Sequence, residues 1–266
     1  MAVVCLYEAV VDQIKIPYLR MGEGEPLVLL HGLSSCKESW FKQFELASQY
    51  DLIIPDFRGH GDNQTLDGIT IENFAKDIIN LLKQLQIESA HICGLSMGGI
   101  VVQEIYRQAP DLCKSLILSC TTYSSFKPFS RILFSFVKAR SRYLPTSLRK
   151  EITARSCFYS WNKENMNAID NFYRPREGVP YAMDSLKNIE YRSLLPKISV
   201  PTLVIGAQYD TLLPVWIQIC MHEMIPNSEL VILKNTGHAA KIESAKEYNK
   251  SIRAFLSKHS IAHKVG

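Results

Sequence analysis

Six short, almost wholly apolar runs, at 27–30, 52–54, 91–93 (His91 being the polar member), 116–118, 203–205 and 230–233, constrain this chain more than anything else in it. Residues apolar at nearly every position, over lengths too short for helices, suit strands buried on both faces of a parallel sheet. Two further β-rich stretches, 3–10 and 13–18, precede a turn at Met21-Gly22-Glu23-Gly24. Helical patterns lie between the runs. Residues 71–85 place Phe74, Ile78, Leu81, Leu82 and Leu85 on one stripe, with Glu72, Lys76, Asp77 and Lys83 off it. Tyr248, Ile252, Phe255 and Leu256 repeat the pattern near the end. Strand and helix in alternation predict a doubly wound α/β fold with a mostly parallel sheet.

One segment interrupts that rhythm. Residues 122–195 hold no run that reads as a buried strand, but twelve aromatics fall between Tyr123 and Tyr181, and 13 Lys/Arg stand against 6 Asp/Glu. Pro201 leads back into the sheet. The expected organisation is an α/β core, 1–121 and 196–266, with 122–195 as a helical cap over a site at the sheet edge.

Chemistry enters at Gly94-Leu95-Ser96-Met97-Gly98, between the run 91–93 and a helix-like stretch at 100–108. This G-x-S-x-G string is the signature of a serine on a sharp strand-to-helix turn, with glycines where side chains would clash. A serine hydroxyl needs a neighbouring base to become a nucleophile. His238 is the candidate, in Asn235-Thr236-Gly237-His238 just past the last run, where Gly237 allows a tight loop. An acid must then orient the imidazole and stabilise its protonated form. Asp210 follows the run 203–205 directly, and the equivalent place one strand earlier, Ser119-Cys120-Thr121-Thr122, has no carboxylate. Helix capping is the plainer role open to Asp210. Two N–H donors for an oxyanion are expected on the backbone of Met97 and Leu33.

Other conspicuous residues read as structural. His31 is expected to pack beneath the loop that carries Leu33. Asp56-Phe57-Arg58-Gly59-His60-Gly61 lacks clustered ligands and is no Walker A loop, so a turn is expected there. Gly94 to Gly99 is not a dinucleotide fingerprint. No cofactor and no metal are therefore expected. Cys93 should point into the sheet packing rather than act as a nucleophile.

Bulk properties narrow the classes further. A chain of 266 residues can bury one large core. Its net charge of +4 is too small to argue nucleic-acid binding. Seven cysteines without a C-x-x-C pair read as free thiols in a reducing compartment. The start of the chain has no basic lead and is interrupted by Glu8 and Asp12, and no apolar stretch approaches the ~18 residues of a membrane span. A cytoplasmic protein without a membrane span is expected.

Taken together, His31-Gly32-Leu33, Asp56-x-Arg58-Gly59-His60-Gly61, Gly94-Leu95-Ser96-Met97-Gly98-Gly99, Asp210 and Gly237-His238 resemble the α/β-hydrolase superfamily. The likeness is strongest to its small capped branch of 3-oxoadipate enol-lactonases, carboxylesterases and C–C bond hydrolases. That resemblance implies an eight-stranded sheet and a Ser96–His238–Asp210 triad that cleaves a small-molecule ester or lactone through an acyl-enzyme. Trp40 and Leu213, with Leu33, are expected to line an apolar pocket. Arginines of the cap (Arg131, Arg140, Arg142, Arg174) would favour a carboxylate-bearing substrate if they point inward. Two readings stay open beside hydrolysis: a lyase or acyltransferase using the same triad, and a hydrolase-like ligand receptor.

Overall fold

In a computed structural model that describes residues 4–125 and 143–259, the chain forms one eight-stranded sheet. Its strands are β1 (Cys5–Val11), β2 (Ile14–Met21), β3 (Glu25–Leu30), β4 (Tyr50–Pro55), β5 (Ala90–Leu95), β6 (Cys113–Ser119), β7 (Thr202–Ala207) and β8 (Ser228–Leu233). The order across the sheet is β1-β2-β4-β3-β5-β6-β7-β8. β1 and β2 form an antiparallel hairpin, β2 pairs antiparallel with β4, and every later pairing is parallel.

The saturated runs are saturated because both faces are covered. In β3, Val28 and Leu30 join one core while Leu27 and Leu29 join the other; in β4, Ile53 opposes Leu52 and Ile54 in the same way. On the first face lie α1 (Ile71–Gln84), α2 (Met97–Gln108) and α6 (Trp216–Met224). The second face holds a 3-10 segment, Lys37–Ser48, and the terminal helix α8 (Ala245–His259). Thr70 starts α1 by accepting a hydrogen bond from the Asn73 N–H at 3.1 Å, which satisfies one orphan donor of the first turn. Between β6 and β7 the described residues add no strand to the sheet. They form helices α3 (Thr146–Cys157), α4 (Lys163–Phe172) and α5 (Val179–Ser185), and a single bridge joins Ser124 to Glu190. No helix among the described residues is long and apolar enough to cross a membrane.

Two expectations need correction. β8 is not buried on both faces: it is the sheet edge, and only Leu233 of its six residues is fully covered. An apolar run reports what a strand could bury, and its neighbours decide what it does bury. Asp77 lies off the apolar stripe of α1, yet it is buried, because it grips the Arg58 guanidinium through both carboxylate oxygens at 2.5 and 2.7 Å. That pair ties the 56–61 turn to α1.

Candidate active site

Parallel strands deliver their C-terminal ends to one edge, and the loops that follow β3, β5, β7 and β8 meet there. The serine loop is the most constrained. Ser96 follows β5 with φ +57° and ψ −120°, a backbone conformation that is rare for a residue with a side chain. The surroundings enforce it. A Cβ at Gly94 would lie 2.3 Å from the carbonyl carbon of Gly98, and one at Gly98 would lie 2.2 Å from the carbonyl oxygen of Leu30. The Ser96 N–H donates to the Ser119 carbonyl at 3.0 Å, and the Ser96 carbonyl accepts from the Thr121 hydroxyl at 2.6 Å. α2 then begins at Met97, whose N–H has no acceptor within the helix.

The loop after β3 sits directly beside the serine. A Cβ at Gly32 would be 3.4 Å from Ser96 Cβ and 3.9 Å from Ser96 Oγ. Leu33 and Met97 both line the cavity above. His31 lies underneath, fully buried, as the sequence suggested. Its Nδ1–H donates to the Gly32 carbonyl at 2.8 Å and its Nε2 accepts from the Phe57 N–H at 3.2 Å. Burial holds its pKa well below the usual histidine value, so the ring is neutral and works as a spacer between two loops.

Asp210 and His238 meet across the ends of β7 and β8. His238 Nδ1 lies 2.7 Å from Asp210 Oδ2, with the carboxylate buried and the ring at the cavity wall. The other oxygen, Oδ1, accepts from the N–H groups of Leu212 and Leu213 at 2.9 and 2.8 Å. Asp210 thus divides its oxygens between the histidine and its own loop. Such a contact holds an imidazole with its second nitrogen turned outward, the arrangement a general base needs.

Ser96, His238, Leu33, Met97 and Leu213 all border a cavity of about 1140 Å³. Its wall is mostly apolar and includes Ile100, Ile152, Met183, Leu186, Ile189 and Ile217. Trp40 is not among the lining residues. It is fully buried in the second core against Tyr248, and the Lys241 ammonium nitrogen lies 3.9 Å from the centre of its ring. Lys241 itself is one of the residues that line the cavity. Burial lowers its pKa well below the lysine norm, and its nitrogen donates to Ser39 O and Oγ at 2.6 and 2.7 Å.

Of the arginines considered for a substrate carboxylate, Arg131, Arg140 and Arg142 lie outside the described residues. So do Phe126, Phe129, Phe134 and Phe136 among the aromatics. Arg174 is half-exposed and faces Glu38 at 3.7 Å. The 56–61 turn is built around Asp56, which accepts from the Lys37 ammonium at 2.8 Å and from the Lys37 and Asp62 N–H groups at 2.7 and 2.9 Å. Cys93 is buried, its thiol pushed up to about 12 by that burial, which suits packing and not attack. Among the described residues no group of three or more His, Cys, Asp or Glu could hold a metal ion.

Fold and site together define an α/β enzyme with a serine-bearing elbow and an Asp–His pair at one sheet edge. Residues 25–245 match the family model of the alpha/beta hydrolase fold, so the chain belongs to that family. It is similar to the dihydrolipoyllysine-residue acetyltransferase component of the acetoin cleaving system of Pseudomonas putida, with 28% identity over 89% of this chain and 64% of that longer protein. Among solved structures it resembles a thermophilic esterase from Thermogutta terrifontis, with TM-score 0.87 and 26% identity, covering 97% of this chain and all of the other. The enol-lactonase of Burkholderia xenovorans LB400 shares the fold at TM-score 0.85 and 23% identity, covering 94% and 100%.

Proposed function

We propose that this α/β-hydrolase is a serine hydrolase that cleaves carboxylic esters or lactones carrying a sizeable, uncharged apolar group. The observation that carries the reading is the 2.7 Å contact of His238 Nδ1 with Asp210 at the wall of a cavity that Ser96 shares. Asp210 holds the Nδ1–H, so Nε2 of His238 takes the Ser96 proton as the hydroxyl attacks the carbonyl carbon. The N–H groups of Leu33 and Met97 receive the oxyanion, and losing one such donor typically costs about 3 kcal/mol of barrier. His238 then protonates the leaving alkoxide, and water repeats the sequence on the acyl-enzyme. The described residues of the 122–195 insertion, 122–125 and 143–195, act as the cap that roofs the cavity and selects the substrate; 126–142 lie outside the described residues.

The size and apolar wall of the cavity support the substrate class. Among the charged residues that line it, Lys187 bonds Asp184, Arg176 lies 4.0 Å from Asp62, and Arg149 donates to the Thr146 hydroxyl. Acyl transfer is the second reading, favoured by the acetyltransferase name of the Pseudomonas putida relative. It would use the same acyl-enzyme with an alcohol or thiol in place of water.

A series of p-nitrophenyl esters from acetate to decanoate, assayed with the wild type and Ser96→Ala, tests the reading. Wild-type turnover that rises with acyl length and vanishes in Ser96→Ala is the expected result. Turnover that persists in Ser96→Ala would remove the serine from the mechanism. Turnover far below ~1 per second on every ester, against the ordinary enzyme range of ~1–10³ per second, would favour a ligand receptor. Product ratios with an added alcohol separate hydrolysis from transfer.

A further inference from the structure

The histidine loop is fastened to the inserted helices by one carboxylate, that of Glu243. It sits at the end of α7 (Ala240–Glu243), the single turn that follows His238. Its Oε2 accepts from the Gly237 N–H at 2.7 Å and the Tyr159 N–H at 3.1 Å. Its Oε1 accepts from the Ser160 N–H at 2.7 Å and from Asn165 Nδ2 at 3.2 Å. One of these four donors belongs to the residue immediately before His238. The other three belong to the connection between α3 and α4 and the first turn of α4. Among the described residues Glu243 makes no ion pair, so backbone and amide N–H groups supply its partners.

Neighbouring contacts run across the same seam. The Ala239 N–H donates to the Cys157 carbonyl at 2.8 Å, and the Thr211 hydroxyl to the Ser156 carbonyl at 3.0 Å. Tyr159 stacks on Tyr209 with ring centres 4.3 Å apart. A Cβ at Gly237 would come within 2.6 Å of the Cys157 carbonyl oxygen, so the two backbones touch with no side chain between them. Both loops that carry the Asp–His pair therefore rest on the 156–160 segment.

We infer that Glu243 is a positioning residue that couples the seating of the inserted helices to the placement of His238. The inference rests on His238 being the general base. A carboxylate can satisfy all four donors because both oxygens accept; an amide cannot, since its NH₂ would face N–H groups. Hydrogen bonds to a charged group are also stronger than neutral ones. Releasing the grip loosens the peptide before His238, and a catalytic group displaced by a fraction of an ångström loses rate rather than affinity.

Glu243→Gln is the nearly isosteric test. The expected result is a kcat about tenfold lower on both a short and a long p-nitrophenyl ester, with KM within about twofold. The proton NMR signal of the His238 Nδ1–H, held by Asp210 in the wild type, should broaden or move at the same time. An unchanged kcat and signal, or a change confined to KM for the long ester, would overturn the inference. Should Glu243→Gln fail to fold, Asn165→Leu removes one donor from the inserted side. It should lower kcat about threefold and broaden the same signal, and a wild-type kcat and signal would be the overturning outcome. If the protein turns over no ester at all, the proposed hydrolase function fails. The NMR signal still decides the positioning role, because it reports the Asp210–His238 contact without turnover.

Discussion

Two buried aspartates stand at the same edge of the sheet, each just past a strand and each beside a histidine, and they have opposite surroundings. Asp210 follows β7 and meets His238 at 2.7 Å on the wall of a large cavity. Asp56 follows β4 and lies 3.8 Å from His31 Nε2, but its oxygens are taken by Lys37 and by two backbone N–H groups. His31 has both nitrogens committed to the backbone. On the proposed reading, an Asp–His neighbourhood can serve as a base only where one histidine nitrogen is left to a space that a substrate can enter. Where both nitrogens are spent, the same residue types are scaffold.

The sharpest way to break this contrast is to neutralise each aspartate in turn. Asp210→Asn should leave the fold intact and lower kcat by about 10⁴, the scale for an orienting acid that no longer holds the right tautomer. Ester assays on folded protein check it, and a drop under tenfold would mean that Asp210 serves only its loop. Asp56→Asn should act on stability instead. Lys37 keeps Glu38 and Asp62 as partners, so the loss should be about 1–3 kcal/mol, the scale for buried donors left without an acceptor, seen as a lower urea midpoint, while the folded fraction keeps its kcat. A large loss of kcat at full folding would erase the distinction.

A pH series sharpens the scaffold side. Burial pulls His60 down to about 4, so the folded protein refuses a proton that the unfolded chain accepts near its ordinary value. Unfolding therefore takes up protons between about pH 6.5 and 4, and stability falls as pH falls through that window, by about 3 kcal/mol from this residue alone. Urea midpoints measured from pH 7 to 4 should decline less steeply in His60→Gln than in the wild type. Equal slopes would mean that the imidazole is solvated. The smallest effect is expected at the cavity wall. Leu213→Ala should raise KM for long-chain esters severalfold with little change for acetate, since trimming an apolar pocket is worth about 1–3 kcal/mol. Equal effects on both esters would place Leu213 outside the acyl path.

The elbow glycines, the alternation of strand and helix and the order Ser96, Asp210, His238 were legible because each rests on local rules. A strand-to-helix turn with no room for Cβ must read G-x-S-x-G, and a strand covered on both faces must read as an unbroken apolar run. Trp40 was misjudged for the complementary reason. Its large ring suits a pocket wall and a core equally, and only the position of Lys241 and Tyr248 decides for the core. Nothing in Ala240-Lys241-Ile242-Glu243 advertised that the glutamate would reach the 159–165 segment, about eighty residues earlier in the chain.

By itself the sequence determined the layers of the fold and the chemical parts of the site, because hydrophobic period and backbone sterics act over a few residues. The tertiary structure alone decided that Trp40 belongs to the core, which apolar run lies at the edge and which carboxylate clamps the histidine loop. Those outcomes depend on burial and on hydrogen bonds between segments far apart in the chain, and no local pattern encodes which distant partners will satisfy a group.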